Sequence, residues 1–333
     1  MGIASFEDFQ KTIQEHSQRG EYEQAYRLAT QNTARFSDQA LLINYWRVCM
    51  AVRLGRSAES LQILSHSLEN GFWYGETLLR KSPYLQPLQG GAEFECLVEQ
   101  NQQLQTNDQE RMYPLLIVRP DGACQDDENP CPVLLALHAN GSTAQASMDF
   151  WKQAAIHGWL VAVPQSSQAM WKDAYVWDDL EITQREIERH MLFISNHYAV
   201  DPARIVIAGH DIGGEVAIWL ALSGTIEVSG FIALGPGGPN LAEPDHSWDE
   251  VVQGAAGRPL RGCLVYGDAD PSISIQGIKT LASMLQGAGL ACKLERMPGV
   301  GHDFHPSYAA ALLSSLEFIH GISRRDLAGG TNP

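Results

Sequence analysis

From Leu115 to Ile319 the sequence switches back and forth between two periodicities, and few folds accommodate that. Apolar runs of strand length stand at Leu115–Val118, Val133–Leu137, Leu160–Val163, Ile205–Ala208, Phe231–Leu234, Cys263–Val265 and Cys292–Leu294. Between them, helical spacing covers Ala144–His157, Leu180–His197, Gly214–Leu222, Ile275–Leu285 and Tyr308–Ile319. Strand and helix in alternation predict an α/β fold, a mainly parallel sheet wrapped on both faces. In such sheets ligands gather at the carboxyl ends of the strands, so the loops there are where chemistry is expected.

The stretch before Leu115 reads differently. Apolar positions recur at three and four residues over Phe6–Gln18, Tyr22–Ala34, Ala40–Leu54, Ala58–Glu69 and Phe94–Leu104, with Gly20, Gly55 and Gly71 between them, and no strand is needed. The expected organisation is therefore an all-α domain at 1–106, an α/β domain at 107–323 and a flexible tail at 324–333, with a loop at Gln125–Pro130. The segment Gly20-Glu21-Tyr22-Glu23-Gln24-Ala25 resembles the second-helix start of a tetratricopeptide repeat, and Gly55-Arg56-Ser57-Ala58-Glu59 follows 35 residues later. That resemblance implies a groove for a protein partner or for self-association. Two imperfect repeats fit a helical cap on the second domain better.

Charge and cysteines narrow the partners. With 23 Lys+Arg against 39 Asp+Glu the formal charge is −16, which repels phosphate backbones and makes nucleic acid an unexpected partner. No apolar run of about 18 residues is present, so no membrane span is expected. The N-terminus lacks a secretory pattern, and six cysteines scattered without a C-x-x-C pair are expected as free thiols in a reducing cytoplasm. No phosphate loop, dinucleotide fingerprint or metal cluster is legible, so no cofactor and no metal are expected.

The most informative segment is Arg204-Ile-Val-Ile-Ala-Gly209-His210-Asp211-Ile212-Gly213-Gly214. A β-branched strand meets a helix through a turn with glycines two before and two after its tip, the pattern of a nucleophile elbow. An acid follows in Val265-Tyr-Gly267-Asp268-Ala-Asp270-Pro271, and a histidine 32 residues beyond Asp270 in Met297-Pro-Gly-Val-Gly301-His302-Asp303-Phe304. Asp211, Asp270 and His302 are the candidate catalytic residues, taken in the order nucleophile, acid, histidine.

On these motifs the chain resembles the α/β-hydrolase superfamily over residues 113–320, and within it the dienelactone hydrolase and phospholipase/carboxylesterase-like esterases. Val200-Asp201-Pro202-Ala203-Arg204-Ile205 and Trp177-Asp178 are similar to theirs. The resemblance implies a hydrolase with Asp270 rather than Asp268 as the acid, because the family's acid precedes the proline, and with His302 rather than His305 as the base. It implies oxyanion donors at the backbone N–H of Ile212 and of Asn140, the latter in Leu137-His138-Ala139-Asn140-Gly141, where Ala139 stands in place of the usual glycine. His138 and His210 are expected to pack or hydrogen-bond. Trp171, Tyr175 and Trp177 are expected to line an apolar pocket for a small-molecule substrate.

Asp211 is the departure, since those esterases carry serine there. A carboxylate is a poor acyl nucleophile but can displace a leaving group from an sp³ carbon, as in epoxide hydrolases and haloalkane dehalogenases, whose elbow Gly-His-Asp-x-Gly-Gly resembles. Four readings stay open: an esterase-lineage hydrolase working through Asp211 on a small organic ester or related substrate, with the helices as lid; an esterase scaffold with its nucleophile replaced and little turnover; an epoxide hydrolase or dehalogenase; and a non-catalytic scaffold that binds peptides through the helices.

Overall fold

The computed structural model describes residues 5–112, 114–122, 124, 128–242, 244, 246–302, 304 and 306–320. His305 and the tail 324–333 lie outside them, as do Gln125, Asp126 and Asp127 of the Gln125–Pro130 loop. The described chain divides into two compact units, one holding residues up to Met112 together with Ala169–Lys172, the other the remainder.

The first unit is built from α1 (Phe6–Gln18), α2 (Tyr22–Asn32), α3 (Ala40–Arg53), α4 (Ser57–Glu69) and α5 (Ala92–Gln109). Ser5 opens α1 with a capping box: its hydroxyl accepts from the Asp8 N–H at 3.1 Å, and the Asp8 carboxylate accepts from the Ser5 N–H at 3.3 Å. The helices close on Tyr26, Val48, Ala51, Leu64, Leu68, Phe94 and Val98. Emptying one such position, Leu64→Ala for instance, costs about 2–5 kcal/mol. The segment Ala169–Lys172 carries a short strand, β4 in chain order (Ala169–Trp171). It lies so close to Gly75 that a Cβ there would stand 2.2 Å from the Ala169 carbonyl, while the Gly75 N–H donates to the Met170 carbonyl at 2.7 Å. Only glycine fits.

The second unit is a seven-stranded sheet. Its strands are β1 (Leu115–Val118), β2 (Cys131–Leu137), β3 (Leu160–Pro164), β6 (Val200–His210), β7 (Gly230–Leu234), β8 (Arg261–Gly267) and β9 (Ala291–Met297); the two-residue β5 (Ala174–Tyr175) lies outside it. The order is β1-β3-β2-β6-β7-β8-β9, with β1 antiparallel and every other pair parallel. The helices are α6 (Ala144–Trp151), α7 (Leu180–His197), α8 (Ile212–Ser223), α9 (Pro239–Ala242), α10 (His246–Gly254), α11 (Ile275–Gly287) and α12 (Ser307–His320).

Strand residues alternate faces, and two cores result. Val133, Leu135, Ile205, Ile207, Phe231 and Leu264 pack with Ile187, Val216, Leu220 and Leu281 of α7, α8 and α11. Leu134, Ala136, Val206, Ala208, Ile232 and Val265 pack with Met148, Trp151, Leu312 and Leu316 of α6 and α12. This two-sided burial is why the strands read as unbroken apolar runs. The chain reverses its direction across the sheet between β2 and β6, so the loops leaving these two strands flank one crevice.

The sulfurs correct one expectation. Cys124 and Cys131 form a disulfide with Cα atoms 5.1 Å apart, whereas Cys49, Cys96, Cys263 and Cys292 are free. Among the described residues no helix is long and apolar enough to cross a membrane.

Candidate active site

β6 and α8 meet at Asp211, whose φ of 56° and ψ of −129° are strained for a side-chain-bearing residue. Such conformations cost about 1–3 kcal/mol and persist only where the surroundings enforce them. The surroundings here are backbone. The Asp211 carbonyl accepts from Gly214 N–H at 2.9 Å and Gly237 N–H at 3.2 Å, and its N–H donates to the Leu234 carbonyl at 3.2 Å. A Cβ at Gly209 would stand 2.1 Å from the Gly213 carbonyl, and one at Gly213 would stand 2.4 Å from that of His138. The two flanking glycines are thus required sterically, the first so that strand and helix can meet and the second so that the helix can lie against the loop after β2.

That loop aims a donor at the tip of the turn. The Asn140 N–H donates to Asp211 Oδ2 at 3.2 Å. The loop is propped from beneath. Trp177 Nε1 donates to the His138 carbonyl at 3.0 Å, and the Ser166 N–H donates to His138 Nε2 at 3.3 Å. The His138 proton is therefore on Nδ1, facing the Ala139 carbonyl at 2.9 Å. Burial pushes the His138 imidazole down to about 4, so it is neutral, a fixed strut. Tyr175 exchanges backbone hydrogen bonds with Gly141 and Ser142.

The histidine and the second acid complete the cluster. His302 Nδ1 lies 2.8 Å from Asp270 Oδ2, while Asp270 Oδ1 accepts from the Ser272 N–H at 2.8 Å. On its other side His302 Nε2 lies 3.7 Å from Asp211 Oδ1. The Asp270 side chain is 0% exposed, against 15% for Asp211 and 31% for His302. Solvent and ligand can reach the first carboxylate and the imidazole, whereas Asp270 can only orient the ring. Among the described residues no lysine or arginine pairs with either carboxylate, and no group of three His, Cys, Asp or Glu could hold a metal ion.

Asp211, Asp270, His302 and Asn140 are brought together, and Ile212 opens α8 directly after the elbow. The three aromatic residues are not gathered into one wall. Trp171 belongs to the helical unit and packs against its core. Tyr175 and Trp177 are each 1% exposed, buried under the loop they support.

Asp268, set aside from sequence in favour of Asp270 as the acid, has a structural part. One of its oxygens accepts from the Gly299 N–H at 2.6 Å and the other from the Arg296 guanidinium, so it ties the end of β8 to the loop that carries His302. These bonds hold its carboxyl below the usual range. Glu215 was not singled out at all. It is 5% exposed and accepts from Asn240 Nδ2 at 2.8 Å and the Leu241 N–H at 2.9 Å, pinning the segment after β7 whose Gly237 bonds the elbow. Burial raises its pKa. The signal available in sequence was an acid in the apolar helix that follows the elbow.

The second unit has the α/β-hydrolase fold. The region before the sheet matches a family model described as "A/B hydrolase-like, N-terminal domain" over residues 7–109. The chain is similar to the crystal structure of an uncharacterized protein from Bacillus cereus ATCC 10987, with 22% identity, a TM-score of 0.54, and coverage of 96% of this chain and 100% of that one. Esterase PE8 is similar over 61% of this chain and 97% of its own, with 15% identity and a TM-score of 0.51. A protein described as a dienelactone hydrolase, from Klebsiella pneumoniae subsp. pneumoniae MGH 78578, covers 63% of this chain and 92% of its own, with 17% identity and a TM-score of 0.51. At these identities the likeness is one of fold. No curated protein matches.

Proposed function

We propose that the protein is a hydrolase of the carboxylesterase lineage that acts on a small organic ester or related electrophile through a covalent ester on Asp211. The observation that carries this reading is the division of labour between the two oxygens of one carboxylate. Oδ2 is held by the Asn140 N–H at 3.2 Å, while Oδ1 faces His302 Nε2 at 3.7 Å with no closer donor among the described residues.

In the first step Oδ1 attacks an sp³ carbon of the substrate, forming the Asp211 ester, and the leaving group departs with the bonding electron pair. In the second, His302 Nε2 takes a proton from water, and the hydroxide adds to Cγ of Asp211. The negative charge then gathers on Oδ2, where Asn140 already donates. Collapse expels the product alkoxide, which takes the proton from the imidazolium, and Asp211, left as the acid with the second water proton, releases it to solvent to restore the carboxylate. Asp270, buried and bonded to Nδ1, stabilises the imidazolium between these events.

The experiment is intact-mass spectrometry of His302→Gln with phenyl acetate, β-butyrolactone, styrene oxide and 4-nitrobenzyl bromide. The expected result is a stoichiometric adduct on Asp211 with at least one probe, absent in Asp211→Asn. No adduct with any probe removes the reading.

A second reading is favoured by the same hydrogen bond. If Asp211 has taken the place of a serine, Oδ2 occupies an oxyanion donor and the site binds ligand with little turnover. The helical region is proposed as a surface for a protein partner or self-association. A cytoplasmic setting suits this chemistry, although the Cys124–Cys131 bridge weighs against it, because disulfides persist in oxidising surroundings.

A further inference from the structure

His210, the residue before the nucleophile, is 4% exposed, and its Nε2 lies 2.8 Å from the main-chain carbonyl of His302, 92 residues away in sequence. A carbonyl can only accept, so Nε2 carries the proton and donates. Nδ1 is then a bare lone pair, and it is buried with no partner among the described residues. The ring packs against Phe304 at 4.3 Å between centroids and stands 5.2 Å from the ring of His302. A second proton would put an N–H into this pocket with no acceptor and beside another imidazole. Burial, with His302 as the next cause, brings the His210 pKa down to about 4. The ring therefore stays neutral near neutral pH, with its one proton on the donating nitrogen.

His302 is thus held from two directions. Asp270 fixes its ring through Nδ1, and His210 fixes its main chain from the strand that ends in the nucleophile. The loop between is tied by Asp268 to the Gly299 N–H and by the Ala269 N–H to the Val300 carbonyl at 3.1 Å, ties that stop two residues short of His302. Asp270 alone sets the ring's tilt but leaves the backbone free to swing about that bond, and the swing changes the 3.7 Å separation between Nε2 and Asp211. The bond to His210 removes that freedom.

We propose that His210 is a positioning residue, whose Nε2–H clamps the main chain of His302 so that the imidazole stands over the Asp211 ester when water attacks. This rests on the covalent reading of Asp211. It implies that the two chemical steps respond differently: formation of the ester needs Asp211 alone, whereas its hydrolysis needs the placed imidazole.

The test compares His210→Phe, which keeps an aromatic ring against Phe304 and loses the donor, with His210→Gln, which restores an N–H at about the same reach. Adduct formation and decay are followed by rapid-quench mass spectrometry with 4-nitrobenzyl bromide and styrene oxide. Solvent exchange of the His302 Nδ1 proton is followed by NMR without any probe. In His210→Phe the adduct is expected to form at the wild-type rate and to decay about 10- to 100-fold more slowly, since displacements near 1 Å cost up to that much. The His302 proton should exchange faster. In His210→Gln both return to within a few-fold of wild type. If His210→Phe does not fold, His210→Leu replaces it in both measurements. Decay at the wild-type rate with unchanged exchange overturns the proposal. Absence of adduct even in His302→Gln removes the covalent reading instead, and the exchange measurement still decides whether His210 holds the loop.

Discussion

One residue sets what this site can do. A serine at 211 would end one atom short of the carboxylate and leave the Asn140 N–H free for a substrate oxyanion, whereas Asp211 carries its own oxygen to that donor. Asp211→Ser is therefore expected to raise p-nitrophenyl acetate hydrolysis at least about 100-fold, the usual worth of an oxyanion donor put to use. An unchanged rate in a variant with native circular dichroism would count against descent from serine esterases. The flanking glycines make a separate claim. Gly209→Ala forces a Cβ against the Gly213 carbonyl, and a loss of about 1–3 kcal/mol is expected in urea unfolding. A stability equal to wild type would mean that the elbow relaxes more easily than its contacts imply. At this scale Asp211, Asp270 and His302 were legible because spacing and order expose a strand-turn-helix tip and two loops behind later strands. The tasks of His210, Asp268 and Glu215 were not legible, because each acts on backbone far away in sequence.

At the scale of elements, the alternation of apolar runs predicts all seven strands of the sheet, since burial on both faces leaves each a contiguous signal. The start of β6 is the main discrepancy. The expected strand begins at Ile205, yet the strand runs from Val200, shifting register against β2 while Asp201 takes up Arg204 and the Ala203 N–H. The aromatic residues after β3 were read as a pocket wall because spacing cannot separate a lining ring from a supporting one. The disulfide escaped for a related reason: a seven-residue separation carries no signature, and Cys131 stands just before the expected strand Val133–Leu137. Closing so short a loop is worth about 2 kcal/mol. Cys131→Ser is expected to lose about that in urea unfolding, and dithiothreitol should lower the wild type to the same midpoint and leave the variant unmoved. Equal midpoints for wild type and variant without reductant would contradict it.

For the whole molecule, buried histidines set the response to acid. His138 and His210 are held down at about 4 by burial, and His190 and His320 are shifted the same way. An unfolded chain protonates these near pH 6.5 while the fold does not. Their contribution is therefore complete above that pH and is lost as pH falls toward 4, about 3 kcal/mol for each of the two fully buried rings. Glu215, raised by burial, has the opposite sign: its contribution is present below the usual carboxylate pKa and is lost as pH rises. The urea midpoint is expected to fall steadily from pH 7 to 4.5, and a flat profile would mean that these rings are not buried as described. The account as a whole stands on the carboxylate of Asp211 becoming covalently bound, and oxygen isotopes read this directly. During turnover of any reactive probe in ¹⁸O-water, solvent oxygen should enter the Asp211 side chain, found by mass in the elbow peptide, while the first-turnover product carries ¹⁶O. An unlabelled Asp211 with ¹⁸O in the first product would show that water attacks the substrate itself, and would contradict the account.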